Sequence, residues 1–389
     1  MPRIRRVALM LDLGWPCKWH SEIFLGAQKY AQNSGWQTFI DERVDVLRSA
    51  LPIKPSAYDG AISRATRKQA LQAAHLNIPV VNVWRNSPVW NSLPGVFPDY
   101  SAIGRLRAEH LVSRGICRFT AITHENDLAH GLELEAFADR LAEGGYTCSS
   151  TKVPHIAFAD KNLERFETLL AGCMDDWVLP IGVFIGSDLD GRLVAQMCLN
   201  RGWRVPEDVS IIAGHNMEMY CDGLRPTISS VEMDFERVGY EAAKLLDKLM
   251  NDGTSPAQPI LLTPKGLVVR ESTDAYSVSD AVISAALKFI ANNFHKTIGQ
   301  IDVARAVDTP LRTLQLRFHK HLGRTISSEI CRARVERAKR ELTQTDRTLK
   351  EIAWDVGFGE AMQMYKTFVR EVGVKPSKYR QERLMNPIP

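Results

Sequence analysis

No stretch of this 389-residue chain approaches the roughly 18 consecutive apolar residues that a membrane-spanning helix needs. The N-terminal stretch MPRIRRVALMLDLGW carries basic clusters but only a brief apolar segment, broken by Asp12. It reads as a first β-strand and not as an export signal. The seven cysteines (Cys17, Cys117, Cys148, Cys173, Cys198, Cys221 and Cys331) are odd in number and scattered, with no CxxC pair. That pattern speaks against a disulfide framework or a cysteine zinc site and for a reducing cytoplasm.

Catalytic signatures are missing as well. There is no GxSxG elbow and no P-loop. THENDLAH offers His124, Glu125 and His130, but Leu128 stands where a zincin needs its second histidine. GFGEAM begins like a dinucleotide fingerprint yet lacks the third glycine and does not follow a strand. Asp12, Asp188 and Asp190 are carboxylates from which a catalytic site could be built, but a binding cleft accounts for them without catalysis. The expectation is a non-enzyme with no cofactor and no metal.

What is present is an ordinary globular composition, 45% hydrophobic and 24% charged. The length calls for two or three domains. The net charge of +4 hides an asymmetry. From Asp280 onward there are 20 Lys and Arg against 12 Asp and Glu, a net of +8, which leaves 29 against 33, a net of −4, for the rest. Basic charge concentrated in one helical region points to nucleic acid, although a charge run alone is more often a solvated face.

The first part alternates strand and helix signals. Short apolar runs (RVALML, DGAIS, IPVVNVW, RFTAIT, IGVFIG, VSIIAG) are separated by helical stretches such as SEIFLGAQKYAQNSG, SAIGRLRAEHLVSRG and GRLVAQMCLNRG. Gly35, Gly115 and Gly202 suit the ends of those helices. The rhythm predicts parallel sheets covered by helices, with a ligand crevice beyond the C-terminal strand ends. Gly, Pro and Ser then interrupt it from Asn251 to Asp280, placing a boundary between a domain over 1–275 and a helical one over 280–385.

The helical part is written twice. Leu314, Phe318 and Gly323 recur 50 positions later as Met364, Phe368 and Gly373, while Val303, Ala304 and Val307 recur 49 later as Ile352, Ala353 and Val356. The second copy therefore has one extra residue in its turn. Each copy reads as helix, turn, helix, with the i,i+4 apolar pair facing inward. The outer face of the second helix presents Arg312, Gln315 and Leu316 in one copy and Met362, Gln363 and Lys366 in the other. Such helices fit the major groove, Arg312 suiting guanine and Gln315 adenine, with Gln363 and Lys366 in the matching part. Leu316 suits a thymine methyl. Pro310 stands where a Ser or Thr cap is usual, leaving Thr309 or Asp308 to cap. Arg332 and Arg334 of the connecting helix read as phosphate contacts or solvated groups.

The stretch EIAWDVGFGEAMQMYKTFVREVGVKPSKYR resembles the C-terminal signature of the AraC/XylS family of transcription regulators, through Ile352, Ala353, Gly357, Phe358, Phe368, Gly373, Pro376, Tyr379 and Arg380. The resemblance implies two helix-turn-helix units joined by a long helix. YSAIGRLRAEHLVSRGICRFTAI, DGRLVAQMCLNRGWRVPEDVSIIAGHN and RPTISSVEMDFERVGYEAAKLLDKLM resemble the periplasmic-binding-protein-like sensor domains of LacI/GalR regulators. The implied fold is an α/β two-lobed periplasmic-binding-protein-like domain followed by an all-α domain of two helix-turn-helix units. Sensor first and reader last resembles the xylose-responsive branch of the AraC/XylS family.

Sensors of this kind grip sugar hydroxyls with charged groups. Ser21, Glu133 and His215 occupy the positions that the resemblance assigns to those grips, whereas Asp188 and Asn216 match it and Asp190 adds an acid. Trp19, with Trp15 and Trp84, sits near a strand end where a ring can stack on a sugar. Three readings stay open: another carbohydrate, a ligand of cationic character drawn by Glu133 and Asp190, or a silent cleft. Taken singly, each polar residue is as readily a hinge or surface group. The implied function is a DNA-binding regulator under a sugar-like effector. It would be an activator working with RNA polymerase, homodimeric, cytoplasmic and free of the membrane. The alternative is a constitutive regulator whose sensor only dimerises.

Overall fold

The computed structural model describes residues 4–13, 18–40, 58–155, 160–274, 280–345 and 347–385. Trp15 and residues 275–279 of the expected junction lie outside them.

The first lobe is built from β1 (Arg6–Met10), α1 (Lys18–Asn33), β2 (Gln37–Ile40), β3 (Gly60–Ser63), α2 (Arg67–Leu76), β4 (Val80–Asn82) and β5 (Val96–Pro98). The second takes α3 (Tyr100–Ser113), β6 (Phe119–His124), α4 (Leu128–Ala142), β7 (Cys148–Val153), α5 (Asp160–Asp175), β8 (Ile181–Ile185), α6 (Asp188–Asn200), β9 (Val209–Ala213), α7 (Glu218–Cys221) and β10 (Ser229–Glu232). The chain then returns to the first lobe with α8 (Phe235–Asp252) and β11 (Ile260–Leu262), and β12 (Gly266–Val268) rejoins the second.

The first sheet runs β2-β1-β3-β4, all parallel. The second runs β12-β10-β9-β8-β6-β7, parallel except for the β12 edge. β5 and β11 form a separate parallel pair. Strands β1, β3, β4, β6, β8 and β9 fall on the six apolar runs, because helices cover both faces and every residue of β3, β6, β8 and β9 is buried. Gly35, Gly115 and Gly202 all have positive φ and turn the chain out of α1, α3 and α6. At the α1–α8 crossing, a Cβ on Gly239 would stand 1.9 Å from the Ile23 carbonyl oxygen.

Beyond a short 3₁₀ turn at Glu271–Thr273 the structure is helical: α9 (Ala281–Asn293), α10 (Gln300–Ala306), α11 (Leu311–Leu322), α12 (Ile326–Gln344), α13 (Leu349–Asp355), α14 (Ala361–Val372) and α15 (Pro376–Met385). Two separate cores form. One joins α9, α10 and α11 through Leu287, Val303, Leu314 and Phe318, and the other joins α13 and α14 through Ile352, Val356, Met364 and Phe368. Helix α12 belongs to both, giving Ile326 and Ile330 to the first and Val335, Ala338 and Leu342 to the second.

The repeated turn has a repeated backbone. Asp308 at φ 45° occupies the left-handed place that Gly357 holds at φ 87° in the second copy. A Cβ on Gly357 would lie 2.4 Å from the Phe294 carbonyl oxygen, which adds close packing to the requirement for glycine. Pro310 is the N-cap residue of α11 without a side-chain cap bond, and Thr309 Oγ1 instead donates to the Val307 carbonyl at 3.0 Å. The expected Thr309 or Asp308 cap is therefore not made, because Asp308 is used to turn the chain and Thr309 points back to it. The family signature residues serve packing: Tyr379 meets Phe368 edge-on at 5.4 Å, and Arg380 donates to the Leu342 and Arg347 carbonyls at 3.1 and 2.6 Å, closing the end of α12.

Overpacking of the helix crossing can be measured. Gly239→Ala should lower unfolding stability by about 1–3 kcal/mol in urea titrations. Gly172→Ala, in α5 with nothing within 4 Å of the added methyl, should be neutral or raise stability by up to about 1 kcal/mol.

Candidate effector cleft and nucleic-acid interface

Contacts between the lobes come from residues that follow the strand ends. Lys18, at the start of α1, reaches Glu218 and Glu232 of the second lobe at 3.1 Å each. Asn86, beyond β4, accepts from the Ala129 backbone at the head of α4 at 2.9 Å. The Trp19 ring lies 5.9 Å from His215, which follows β9. On the first-lobe side Arg64 covers the Trp84 ring at 4.7 Å and stands 3.9 Å from Asp12.

His215 is the hub of the expected residues. Its Nε2 is 3.0 Å from Glu133, and its backbone N–H donates to Asp188 at 2.9 Å. Glu133 is wholly buried and also paired with Arg107, whose side chain is equally buried and donates to the Gly214 carbonyl at 2.7 Å. Burial works against the Glu133 charge, but Arg107 and His215 outweigh it and hold the carboxyl below its usual value. Asp188 accepts from the His215 and Met217 backbones and from Ser230 Oγ at 2.8 to 3.0 Å. Asn216, at φ 56°, is held by Arg270, Ser230 and Glu232.

Glu133, Asp188 and Asn216 therefore fix the 214–217 loop through their own protein partners. Of the two acids expected to draw a cationic ligand, Glu133 is already paired with Arg107, and Asp190 stands beside His124. Ser21 is exposed and donates to the Lys18 carbonyl at 2.7 Å. Arg107 was not legible in the sequence, where it is one of several basic residues on an ordinary helix.

Asp190 is buried and its carboxylate stands 2.6 Å from His124 Nε2. His124 ends β6 and packs among other imidazoles, His130 at 5.0 Å and His155 at 3.7 Å between ring centres. Burial, tempered by Asp127 and Glu133, pushes the His130 imidazole down to about 4. The spacing of HENDLAH fits no zincin, and the clustering of His124 with His130 and His155 was not foreseen from it.

In the helical domain Arg312, Leu316, Met362, Gln363 and Lys366 are exposed, with Leu316 at 60% and Met362 at 62%. These two large apolar side chains stand open to solvent on the second helices of the two repeats. Gln315 is half-buried and donates to Gln300 at 2.8 Å. Arg332 and Arg334 correct the phosphate reading. Arg334 is 9% exposed and donates to the Phe294 and Lys296 carbonyls at 2.8 and 2.9 Å. Arg332 pairs with buried Glu329 and donates to the Ser113 carbonyl of the second lobe at 3.3 Å. Burial of Glu329 is offset by Arg332 and Arg324, which hold its carboxyl below the usual range.

A two-lobed α/β domain followed by tandem helix-turn-helix units on a shared spine defines a transcription regulator with a sensor domain. The periplasmic binding protein-like domain family matches residues 108–273, and the helix-turn-helix domain family matches residues 303–382. The chain is 28% identical to the xylose operon regulatory protein of Escherichia coli K12 over 92% of each chain. It is 25% identical to that of Haemophilus influenzae over 92% of this chain and 94% of the other. A solved structure described as the xylose-binding transcription activator XylR aligns over 98% of both chains at 25% identity and a TM-score of 0.60. The chain is thus similar over nearly its whole length to XylR-like transcription regulators that join a periplasmic-binding-protein-like domain to a helix-turn-helix domain.

Removing one member of the buried pair leaves the other charge stranded. Arg107→Ala should cost about 3–5 kcal/mol in denaturant unfolding. Adding Glu133→Gln should recover part of that loss, since the two residues interact directly.

Proposed function

We propose that the chain is a cytoplasmic, homodimeric transcription activator whose engagement of DNA is set by a small carbohydrate-like effector between the lobes. The carrying observation is the path of α3. Tyr100 at its start packs against the His215 ring at 6.4 Å, Arg107 in its middle binds the 214–217 loop, and Ser113 at its end accepts from Arg332 of α12. A ligand that alters the His215 loop thereby bears on the helix shared by both reading units, which is the physical content of coupling between two sites.

The whole-length likeness to xylose operon regulatory proteins supports the same class of effector. Trp19, His215 and Asp190, with Asp12, Arg64, Trp84 and His124 beside them, are the groups we assign to the effector. Arg312, Leu316, Met362, Gln363 and Lys366 are those we assign to bases, with Gln315 beside them. RNA polymerase is the partner that activation requires. The three altered grips argue for a sugar other than xylose, since none of Ser21, Glu133 and His215 offers the usual charged contact in this geometry.

A thermal-shift panel of pentoses, hexoses, sugar acids and amino sugars should identify the effector, because a bound ligand stabilises with the logarithm of its concentration over its dissociation constant. DNA sites selected in vitro with the full chain then test the reader. Arg312→Ala should cost about 1–3 kcal/mol on the selected site and relax discrimination at one base pair. Equal weakening on every sequence would make Arg312 a phosphate contact. Arg332→Ala should retain DNA binding but lose dependence on the effector. A wild-type response in that variant would remove α3 and α12 from the coupling. DNA binding indifferent to every stabilising ligand would favour the constitutive, dimerising reading.

A further inference from the structure

We propose that His124, Asp127 and His155 form a binding site for a divalent transition-metal ion of the zinc class on the second-lobe wall of the cleft. Each offers a ligand atom, and these atoms all lie within 4.8 Å of one another. The juxtaposition follows from strand register. His124 pairs with Val153 across the parallel β6–β7 ladder, so His155, two residues further on, comes up beside it. Asp127 is delivered from the other direction as the N-cap of α4.

The donor set has the chemistry of a metal site. Two imidazoles and a carboxylate suit zinc, cobalt or nickel, with ligand bonds of about 2.0–2.2 Å. His124 is only 7% exposed, and among the described residues neither of its ring nitrogens has an in-line hydrogen-bond partner. Its Nε2 nevertheless lies 2.6 Å from Asp190. A carboxylate beside the imidazole is the arrangement by which outer residues orient a metal-bound histidine.

Asp127 divides its oxygens in the same sense. Oδ1 accepts the His130 backbone N–H at 2.9 Å, while Oδ2 stands 3.6 Å from His155 Nε2. His155 has a side chain 53% exposed, so it can close the last ångström onto an ion without repacking the core. Asn86 of the first lobe binds the head of α4 at Ala129 and so places the site beside the contact between lobes. This inference goes beyond the sugar-sensor reading and does not depend on it, since occupancy is read directly.

The test uses the full chain freed of metal by chelator and dialysis, with Co²⁺ as a spectroscopic probe and Zn²⁺ as its calorimetric competitor. One equivalent should bind with the visible bands of nitrogen and oxygen ligation and be displaced by Zn²⁺. His155→Ala and Asp127→Asn should each weaken binding by tenfold or more, and Asp190→Asn by about 10- to 100-fold as an orienting residue. Asn keeps the helix cap and position 155 is half-exposed, so unchanged circular dichroism is expected and separates ligand loss from unfolding. No bound equivalent, a thiolate charge-transfer band, or full binding in the His124→Ala, His155→Ala double variant would overturn the site. The wild-type titration and the Asp127→Asn and His155→Ala variants leave the residues assigned to the effector and to bases in place, so failure of the metal site there is distinguishable from failure of the sugar-sensor reading.

Discussion

The buried pairing of Arg107 with Glu133 is the constraint on which the rest of the sensor depends. A guanidinium and a carboxylate with no solvent exposure would each be prohibitively costly alone. Together they create a rigid node, and the spare capacity of both groups is spent on the 214–217 loop through Gly214 and His215. Asp188 closes the same loop from the head of α6. The cleft floor is therefore held by charge pairs whose geometry leaves little freedom. Any ligand acting on His215 pushes against α3, not against a loose surface loop.

The other end of α3 meets the reader. Glu329, 2% exposed, is clasped by Arg324 and Arg332, and Arg332 continues to the Ser113 carbonyl. Helix α12 contributes to both helix-turn-helix cores, so α11 and α14 are packed on one shared element. One helix serves as a common axle, where two independent modules would have needed two linkages. The exposed outer faces of α11 and α14, which we assign to bases, carry none of these charge pairs among the residues named.

The helical domain was legible because its fold is local. Leu314 and Phe318, or Met364 and Phe368, reveal an inward face through i,i+4 spacing alone, and the one-residue difference between the turns showed as a change in offset from 49 to 50. The buried parallel strands were legible for the same reason, as continuous apolar runs. Strands such as β7 (CSSTKV) and β10 (SSVE) carry no such signature, because they are polar and are defined by their neighbours. The site was legible only in part. Glu133 and Asp188 have the right chemistry for a ligand, but their partners Arg107 and Ser230 lie 26 and 42 residues away, and nothing in the linear sequence announces that they are already taken. Arg332 and Arg334 misled in the same way, as basic residues on a basic helix that turn inward to carbonyl groups.

Hydrogen exchange on the full chain tests the linkage most directly. His215→Ala removes the hub of the cleft, and with it the ring contact to Tyr100 at the start of α3, while leaving α12 and the Ser113–Arg332 contact at the other end of α3 unaltered. Faster exchange is expected both in the 214–217 loop and in the backbone around Ser113 and Glu329, with the global stability otherwise retained. Faster exchange confined to the cleft loop, with the α3–α12 contact protected as in the wild type, would contradict the linkage.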